Sequence, residues 1–312
     1  MVIDGRLDDA PWEEAPWTEP FVDIEGDSRP TPRFGTHAKM LWDDKCFYIG
    51  AELEEPYVWA TLTRRDTVIF RDNDFEVFLD PNGDNIEYIE MEMNALNTVW
   101  DLLLPIPYRD GGHAQDSFDL EGLRTAVSVH GSINDARDRD TGWSVEIAIP
   151  WTAFARYAHR DLPPKAGDQW RVNFSRVEWR VTVSGGVSRK IPGMAEDNWV
   201  WSPQGVIDMH RPERWGYVQF TMDRNAQFRT DPSWTARVFL LHLYYAERRF
   251  AEQFGRWAGT LDELNVSMPS GFAYPPAIRA TSQGYTAGVG IILPDGSVQH
   301  WYIRQDSRIW SE

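Results

Sequence analysis

The chain has 312 residues and a formal net charge of −17, with 42% hydrophobic and 25% charged residues. That length holds a domain of about 200 residues plus a smaller unit, and the composition is that of a soluble globular chain with a sizeable core. So acidic a surface repels nucleic acids and anionic membranes while leaving neutral sugars and calcium free to approach, so no nucleic-acid partner is expected.

Val2-Ile3-Asp4-Gly5 already opens the domain pattern, the start expected of a chain whose targeting segment has been removed. Thr36 to Trp42 and Cys46 to Leu53 form a hairpin pair around Asp43-Asp44-Lys45. Asp74 to Asp80 alternates, with Phe75, Val77 and Leu79 on one side and Glu76 and Phe78 on the other. After the turn Pro81-Asn82-Gly83-Asp84, Glu87 to Asn94 alternates again. Ile89, Met91 and Met93 make an apolar face; Tyr88, Glu90, Glu92 and Asn94 make a polar one. Gly142 to Pro150 puts Trp143, Val145, Ile147 and Ile149 opposite Glu146. Trp170 to Arg180, a hairpin tip at Ser184-Gly185-Gly186 and Trp215 to Phe220 complete the series.

Many short strands with regular turns predict a mainly β fold, an antiparallel β-sandwich of jelly-roll or immunoglobulin-like type, over residues 1–222. The character changes after Met222. Thr235 to Gly259 reads as one amphipathic helix, striped by Phe239, Leu243, Ala246, Phe250, Phe254 and Trp257. A β-hairpin follows, Tyr285 to Leu293 and Ser297 to Arg304 around Pro294-Asp295-Gly296. Residues 234–312 are thus expected to be a small C-terminal α+β appendage, a long helix plus a β-hairpin. No apolar run is long enough to span a bilayer.

Chemistry-bearing motifs are sparse. One cysteine, Cys46, excludes an intrachain disulfide and CxxC zinc sites. There is no GxSxG elbow, no HExxH and no P-loop. Asp80-Pro81-Asn82-Gly83-Asp84 starts like a calcium loop but lacks the glycine and glutamate an EF-hand needs, so it reads as a turn. Asp135, Asp138 and Asp140 read as a solvated acidic loop. The abundant resource is tryptophan, 16 residues; most must pack the core, and about two or three are expected at a binding surface, where the flat indole matches the apolar face of a sugar ring.

The motifs fall in a telling order: Ile3-Asp4-Gly5-Arg6-Leu7-Asp8-Asp9-Ala10-Pro11-Trp12, Leu41-Trp42-Asp43-Asp44, Phe47-Tyr48-Ile49-Gly50, the run Arg71 to Pro81, Gly142 to Pro150, Trp170 to Arg176, Trp199-Val200-Trp201-Ser202-Pro203 and Trp215 to Phe220. Over about 220 residues this series resembles the family 9 carbohydrate-binding modules and their wider sugar- and haem-binding relatives. The resemblance implies a β-sandwich, an extracellular or periplasmic setting, an oligo- or polysaccharide partner and no catalysis. It also implies structural calcium, with ligands the sequence does not name. It ends near Met222.

In that family two tryptophans clamp a sugar ring. The first position falls here on Phe70, six residues before Glu76; the second falls on Trp201, with Trp199 two residues earlier. The polar partners fall on Glu76, Glu92, Asn94 and Asn173, with Glu92 standing where some members carry arginine. Independently of the family, Glu76, Glu92 and Asn94 can face one side of adjacent strands, and carboxylates and amides suit vicinal hydroxyls. Each also has a structural alternative: Glu76 as a structural acid pairing a buried Arg, Trp201 and Phe70 as core, and Glu146 with Arg176 as a partly buried ion pair pinning the sheet. Three other functions stay open. Glu76, Glu90 and Glu92 could serve glycoside cleavage; Met91 or Met93 with His113 or His130 could ligate haem; the aromatic C-terminal helix could dock a protein partner.

Overall fold

Where apolar residues recur every second position they form strands that bury one face. The computed structural model describes residues 1–312. One unit comprises 1–82, 88–103 and 114–222; the other comprises 83–87, 104–113 and 223–312. The first unit carries β1 (Val22–Asp23), β2 (Thr36–Trp42), β3 (Cys46–Glu54), β4 (Asp74–Asp80), β5 (Tyr88–Asn94), β6 (Val99–Leu104, whose last residue counts with the second unit), β7 (Arg124–His130), β8 (Gly142–Pro150), β9 (Gln169–Glu178), β10 (Val181–Ser184), β11 (Val187–Lys190), β12 (Asp197–Val200) and β13 (Gly216–Gln219). Two short helices, α1 (Ala10–Glu14) and α2 (Trp151–Phe154), join them.

Two sheets face each other. One runs β2-β3-β8-β7; the larger runs β1-β12-β9-β4-β5-β6, with β13 beside β12 on the same edge of β9. The core between them takes Phe47, Ile49, Val145 and Ile147 from the first sheet and Phe75, Val77, Met91 and Phe174 from the second. Apolar burial on this scale, at about 25 cal/mol per Å², is what holds the sandwich together. β10 and β11 make a separate hairpin; Gly185 and Gly186 both take positive φ at its tip, as a two-residue turn of this hand requires.

The N-terminal segment covers the outer face of the smaller sheet, where Trp12, Ala15, Cys46, Tyr48 and Ala148 form a second cluster. Glu146, fully buried, fastens it by accepting from the Asp4 N–H (2.8 Å), the Gly5 N–H (3.0 Å) and the Trp12 indole (2.7 Å). Gly5 sits at φ +88°, and a Cβ there would lie 2.4 Å from the Val127 carbonyl carbon, so only glycine fits.

The expected ion pair between Glu146 and Arg176 does not form. Arg176 instead binds Glu178 at 2.8 Å and approaches Glu55 at 3.5 Å. Glu146 has its full set of donors on the opposite side of the sheet, so each charge is satisfied locally. Asp140 is not solvated either: it is buried and accepts from the Val58 and Ser132 N–H groups.

The second unit holds α3 (Trp234–Phe254), α4 (Leu261–Leu264), β14 (Phe272–Ala280), β15 (Tyr285–Ile292), β16 (Val298–Arg304) and β17 (Ile309–Ser311). Its four strands form one antiparallel sheet in chain order, two strands more than the hairpin expected. The helix buries Phe239, Leu240, Leu243 and Ala246 against Ala287, Val289, Trp301 and Ile303. It stops at Phe254, short of Gly259, because Gly255 turns left-handed (φ +66°) and its N–H closes on the Ala251 carbonyl. The 104–113 segment is tied to the helix by Asp110, which accepts from Tyr244 (2.5 Å) and Arg248 (2.6 Å). No helix is long and apolar enough to cross a membrane.

Candidate functional site

β4 and β5 pair so that Glu76 lies opposite Glu92 and Phe78 opposite Glu90. Phe75, Val77, Leu79, Ile89, Met91 and Met93 enter the inter-sheet core, as alternation predicts, which sends Asp74, Glu76, Glu90 and Glu92 to the outer face. That face is not open to water: every residue of both strands is buried. At one end His210 and Trp215 rest on Phe78 and Tyr88, with ring centroids 5.2 to 6.0 Å apart. At the other end the Phe70 N–H donates to Glu92 Oε2 at 2.9 Å, and the Trp179 indole donates to the Phe70 carbonyl at 2.9 Å. The Lys190 ammonium sits 3.5 Å above the Trp179 ring.

The result is a layer of acids with few counter-charges. One carboxylate oxygen each from Asp74, Glu76 and Glu92 lies within 4.8 Å of the others. Exposures are 0% for Asp74, 5% for Glu76, 4% for Glu90 and 2% for Glu92. No basic side chain is within ion-pair reach of Asp74, Glu76 or Glu92; Glu90 has His210 at 3.9 Å. Burial pushes the Glu76 carboxyl up to about 7. Burial first, and then the Glu76 charge, holds Asp74, Glu90 and Glu92 well above the ordinary carboxylate range.

The residues carried over from the resemblance fall into two groups. Phe70, Glu76 and Glu92 are brought together, and Phe70 keeps 38% of its surface exposed. The amides are committed elsewhere. Asn94 donates to Leu62 O and Asp72 and accepts from Leu96 and Thr98, holding a turn. Asn173 is clamped to both backbone groups of Ser202. Trp199 is 3% exposed and packs on Phe34 and under the Arg176 guanidinium. Trp201 is half-buried; its ring covers Gly216 and lies 5.8 Å from Phe174, and no ring contact joins it to Phe70.

Three features escaped the sequence reading. Trp179 stands beside Phe70, the neighbour that the clamp pattern assigned to Trp201. Asp74 extends the acid layer of Glu76, Glu90 and Glu92, and the whole layer is buried, because alternation gives direction and not cover. A pocket of about 290 Å³ opens beside Trp179, lined by Phe34, Tyr57, Asn73, Glu55 and Glu178. Glu55 there accepts from Asn73 and the Trp143 indole, and burial, reinforced by Glu178, raises it to about 8. A second pocket, about 360 Å³, adjoins Trp199, Arg33 and Asp197. Of the haem candidates, Met91 and Met93 are enclosed in the core and His130 bonds Ser144, so no axial pair is assembled.

Comparison with known proteins agrees with this architecture. The family model described as carbohydrate family 9 binding domain-like matches residues 3–167, more than half of the chain. The exoglucanase XynX of Acetivibrio thermocellus is 28% identical over 152 residues, which are 49% of this chain but 12% of the exoglucanase, so the chain spans only a small part of that relative. Among solved structures, a candidate carbohydrate-binding protein of Bacteroides uniformis superposes with a TM-score of 0.50 at 17% identity, covering 67% of this chain and 88% of that one. A family 9 carbohydrate-binding module of Caldicellulosiruptor kristjanssonii in complex with cellotriose gives a TM-score of 0.47 at 18% identity over 74% of this chain and 95% of that one. The structural likeness is one of fold, a β-sandwich, while the sequence match identifies the lineage: the chain belongs to the carbohydrate family 9 binding domain-like family.

Proposed function

We propose that the chain binds a neutral saccharide without cleaving it, at the rim where Phe70 and Trp179 meet the acid layer of Glu76 and Glu92. The observation that carries this reading is the Phe70 ring, 38% exposed, held at its backbone by the 2.9 Å bond from its N–H to Glu92 and by the 2.9 Å bond from the Trp179 indole to its carbonyl. A ring stacks on the C–H face of a pyranose, and only a hydroxyl at the edge of the stacked sugar would reach the covered carboxylates behind Phe70. Trp201, half-buried at the Ser202-Pro203 turn, is the further stacking candidate. Family membership supports the substrate class, and the exoglucanase relative supports an extracellular or periplasmic setting.

Hydrolysis is the weaker reading. Glycosidases separate their two carboxyl groups by about 5–5.5 Å or about 6.5–9.5 Å around an open bond-cleaving cleft. Here one carboxylate oxygen each from Asp74, Glu76 and Glu92 lies within 4.8 Å of the others, and these acids and Glu90 are covered. The test is a tryptophan-fluorescence titration with a panel of soluble oligosaccharides, using wild type, Phe70→Ala, Trp179→Ala and Trp201→Ala. Saturation by one sugar class, weakened about tenfold or more by Phe70→Ala or Trp179→Ala, supports the site; one stacked ring is worth about 1–2 kcal/mol. Saturation that only Trp201→Ala disturbs moves the site to the 201–203 turn.

A further inference from the structure

We infer that the open face of the C-terminal sheet is a second saccharide site, one that takes a polysaccharide chain along a row of four aromatic rings. The row is Tyr274 on β14, His300 and Tyr302 on β16, and Trp310 on β17. Neighbouring ring centroids lie 5.9, 6.5 and 5.5 Å apart, and the planes depart from parallel by only 6°, 20° and 26°. Strand register puts all four on one face. Tyr274 and His300 both pair with Gly290, and Tyr302 pairs with Gly288 and with Trp310. The alternate residues Ala287, Val289, Trp301 and Ile303 enter the core with α3. Two glycines make room for the rings. A Cβ on Gly290 would stand 2.9 Å from Tyr274 Cδ2, and one on Gly288 would stand 2.8 Å from Tyr302 Cδ1. Covering bare glycines is a structural use of rings in sheets, but it needs only Tyr274 and Tyr302 and leaves His300 and Trp310 unexplained. Nor is the row buried: Tyr274 is 55% exposed, His300 is exposed, and Tyr302 and Trp310 are half-buried.

The chemistry of the row selects its occupant. Near-parallel rings at regular intervals fit a ligand that repeats a flat apolar face at regular intervals, as a chain of pyranoses does. A single-stranded nucleic acid also stacks on such rows, but it needs a positive groove for its phosphates. Here the arginines are neutralised in a chain of net charge −17: Arg304 binds Asp306 at 2.7 Å, and Arg308 lies 3.7 Å from Asp84. Arg279, paired across from Thr286, is the one arginine of this face left without an acid, too few to hold a phosphate backbone. Each ring on an open surface contributes little, so several must act together, and the ligand is a polymer and not a short oligosaccharide. The row lies in the second unit, outside residues 3–167 that match the family, and it shares no residue with the Phe70 rim.

The test is affinity electrophoresis of the full chain in gels holding hydroxyethylcellulose, xylan or galactomannan, in a Phe70→Ala background so that the rim is disabled and either reading can fail alone. Retardation by at least one polysaccharide, weakened about fivefold or more by Tyr274→Ala and by His300→Ala, is the expected result. Tyr274→Phe, which keeps the ring, should restore most of what Tyr274→Ala loses. Gly290→Ala should also weaken binding, by pushing Tyr274 aside, while the melting temperature holds, because alanine costs a strand less than glycine. Both truncated rings are exposed, so their loss empties no core; should Tyr274→Ala fail to fold, His300→Ala and Gly290→Ala decide. No retardation by any of the three polysaccharides overturns the inference, and so does retardation that none of these variants alters. Retardation by polyuridylate alone overturns it in favour of nucleic acid. A dimer in size-exclusion chromatography that Tyr274→Ala converts to monomer overturns it in favour of a second copy of the chain.

Discussion

Replacing Glu146 by glutamine separates the local fastening seen in the structure from the cross-sheet ion pair expected of the sequence. Glu146 accepts three hydrogen bonds in a fully buried place, two from the backbone of Asp4 and Gly5 on Oε2 and one from Trp12 on Oε1. Glutamine keeps the shape but turns one oxygen into an NH₂, which must face either two N–H groups or the indole. At least one charge-assisted bond becomes a donor facing a donor, and the rest lose the charge. Each hydrogen bond to a charged acceptor contributes about 1.5–3 kcal/mol, so the loss is on the order of 3–5 kcal/mol. For a unit of about 200 residues that lowers the melting temperature by roughly 10 °C. Calorimetry and urea unfolding read the stability, and limited proteolysis near Arg6 reads the release of the N-terminal segment. A change below about 1 kcal/mol, with Arg6 still protected, would refute the assignment.

Three further outcomes follow from the geometry. Gly5→Ala should cost at least 2 kcal/mol, roughly, because a left-handed φ and a 2.4 Å clash with Val127 combine; a neutral effect in urea unfolding would mean that the segment is not held as described. Glu55, raised to about 8 in the fold, binds its proton more tightly folded than unfolded, so its contribution is complete below about 4.5 and is lost as pH rises through about 8. Stability measured across that window should fall with pH, and Glu55→Gln should flatten the fall; an unchanged slope would exclude Glu55 as its source. Gly255→Ala should cost only about 1 kcal/mol, because the position is left-handed but open, with no atom within 4 Å of an added Cβ; a loss beyond about 3 kcal/mol in thermal unfolding would indicate a packing role.

Strands whose pattern alternates strictly were legible. β2, β3, β4, β5 and β8 lie within a residue of the sequence reading, and so does the β15–β16 hairpin. Strands that violate a rule locally were not. β14 carries Pro275 and Pro276, which argue against a strand; it tolerates them as an edge strand with irregular pairing between Tyr274 and Ala277. The end of α3 was missed because the apolar period runs on through Phe254 and Trp257, while the backbone turns at Gly255.

At the candidate site, alternation placed Glu76 and Glu92 side by side, as found. It did not reveal that the polar face is covered, because part of the cover comes from His210 and Trp215, far away in sequence. Asn94 and Asn173 look like sugar ligands by residue type, yet Asn94 is spent on its own turn, a local competition that short amide side chains often win, and Asn173 on the backbone of Ser202 across the fold. Arg176 and Glu146 were paired because both sit in prominent motifs; the structure gives each its own partners.

The most direct test of the central claim is isothermal titration of the whole chain with the best ligand from an oligosaccharide array. Saccharide binding at one site per chain, with a negative heat-capacity change from ring burial and a loss of affinity in Phe70→Ala, is the predicted result. Absence of binding to every saccharide on the array, with calcium present and absent, would contradict the account.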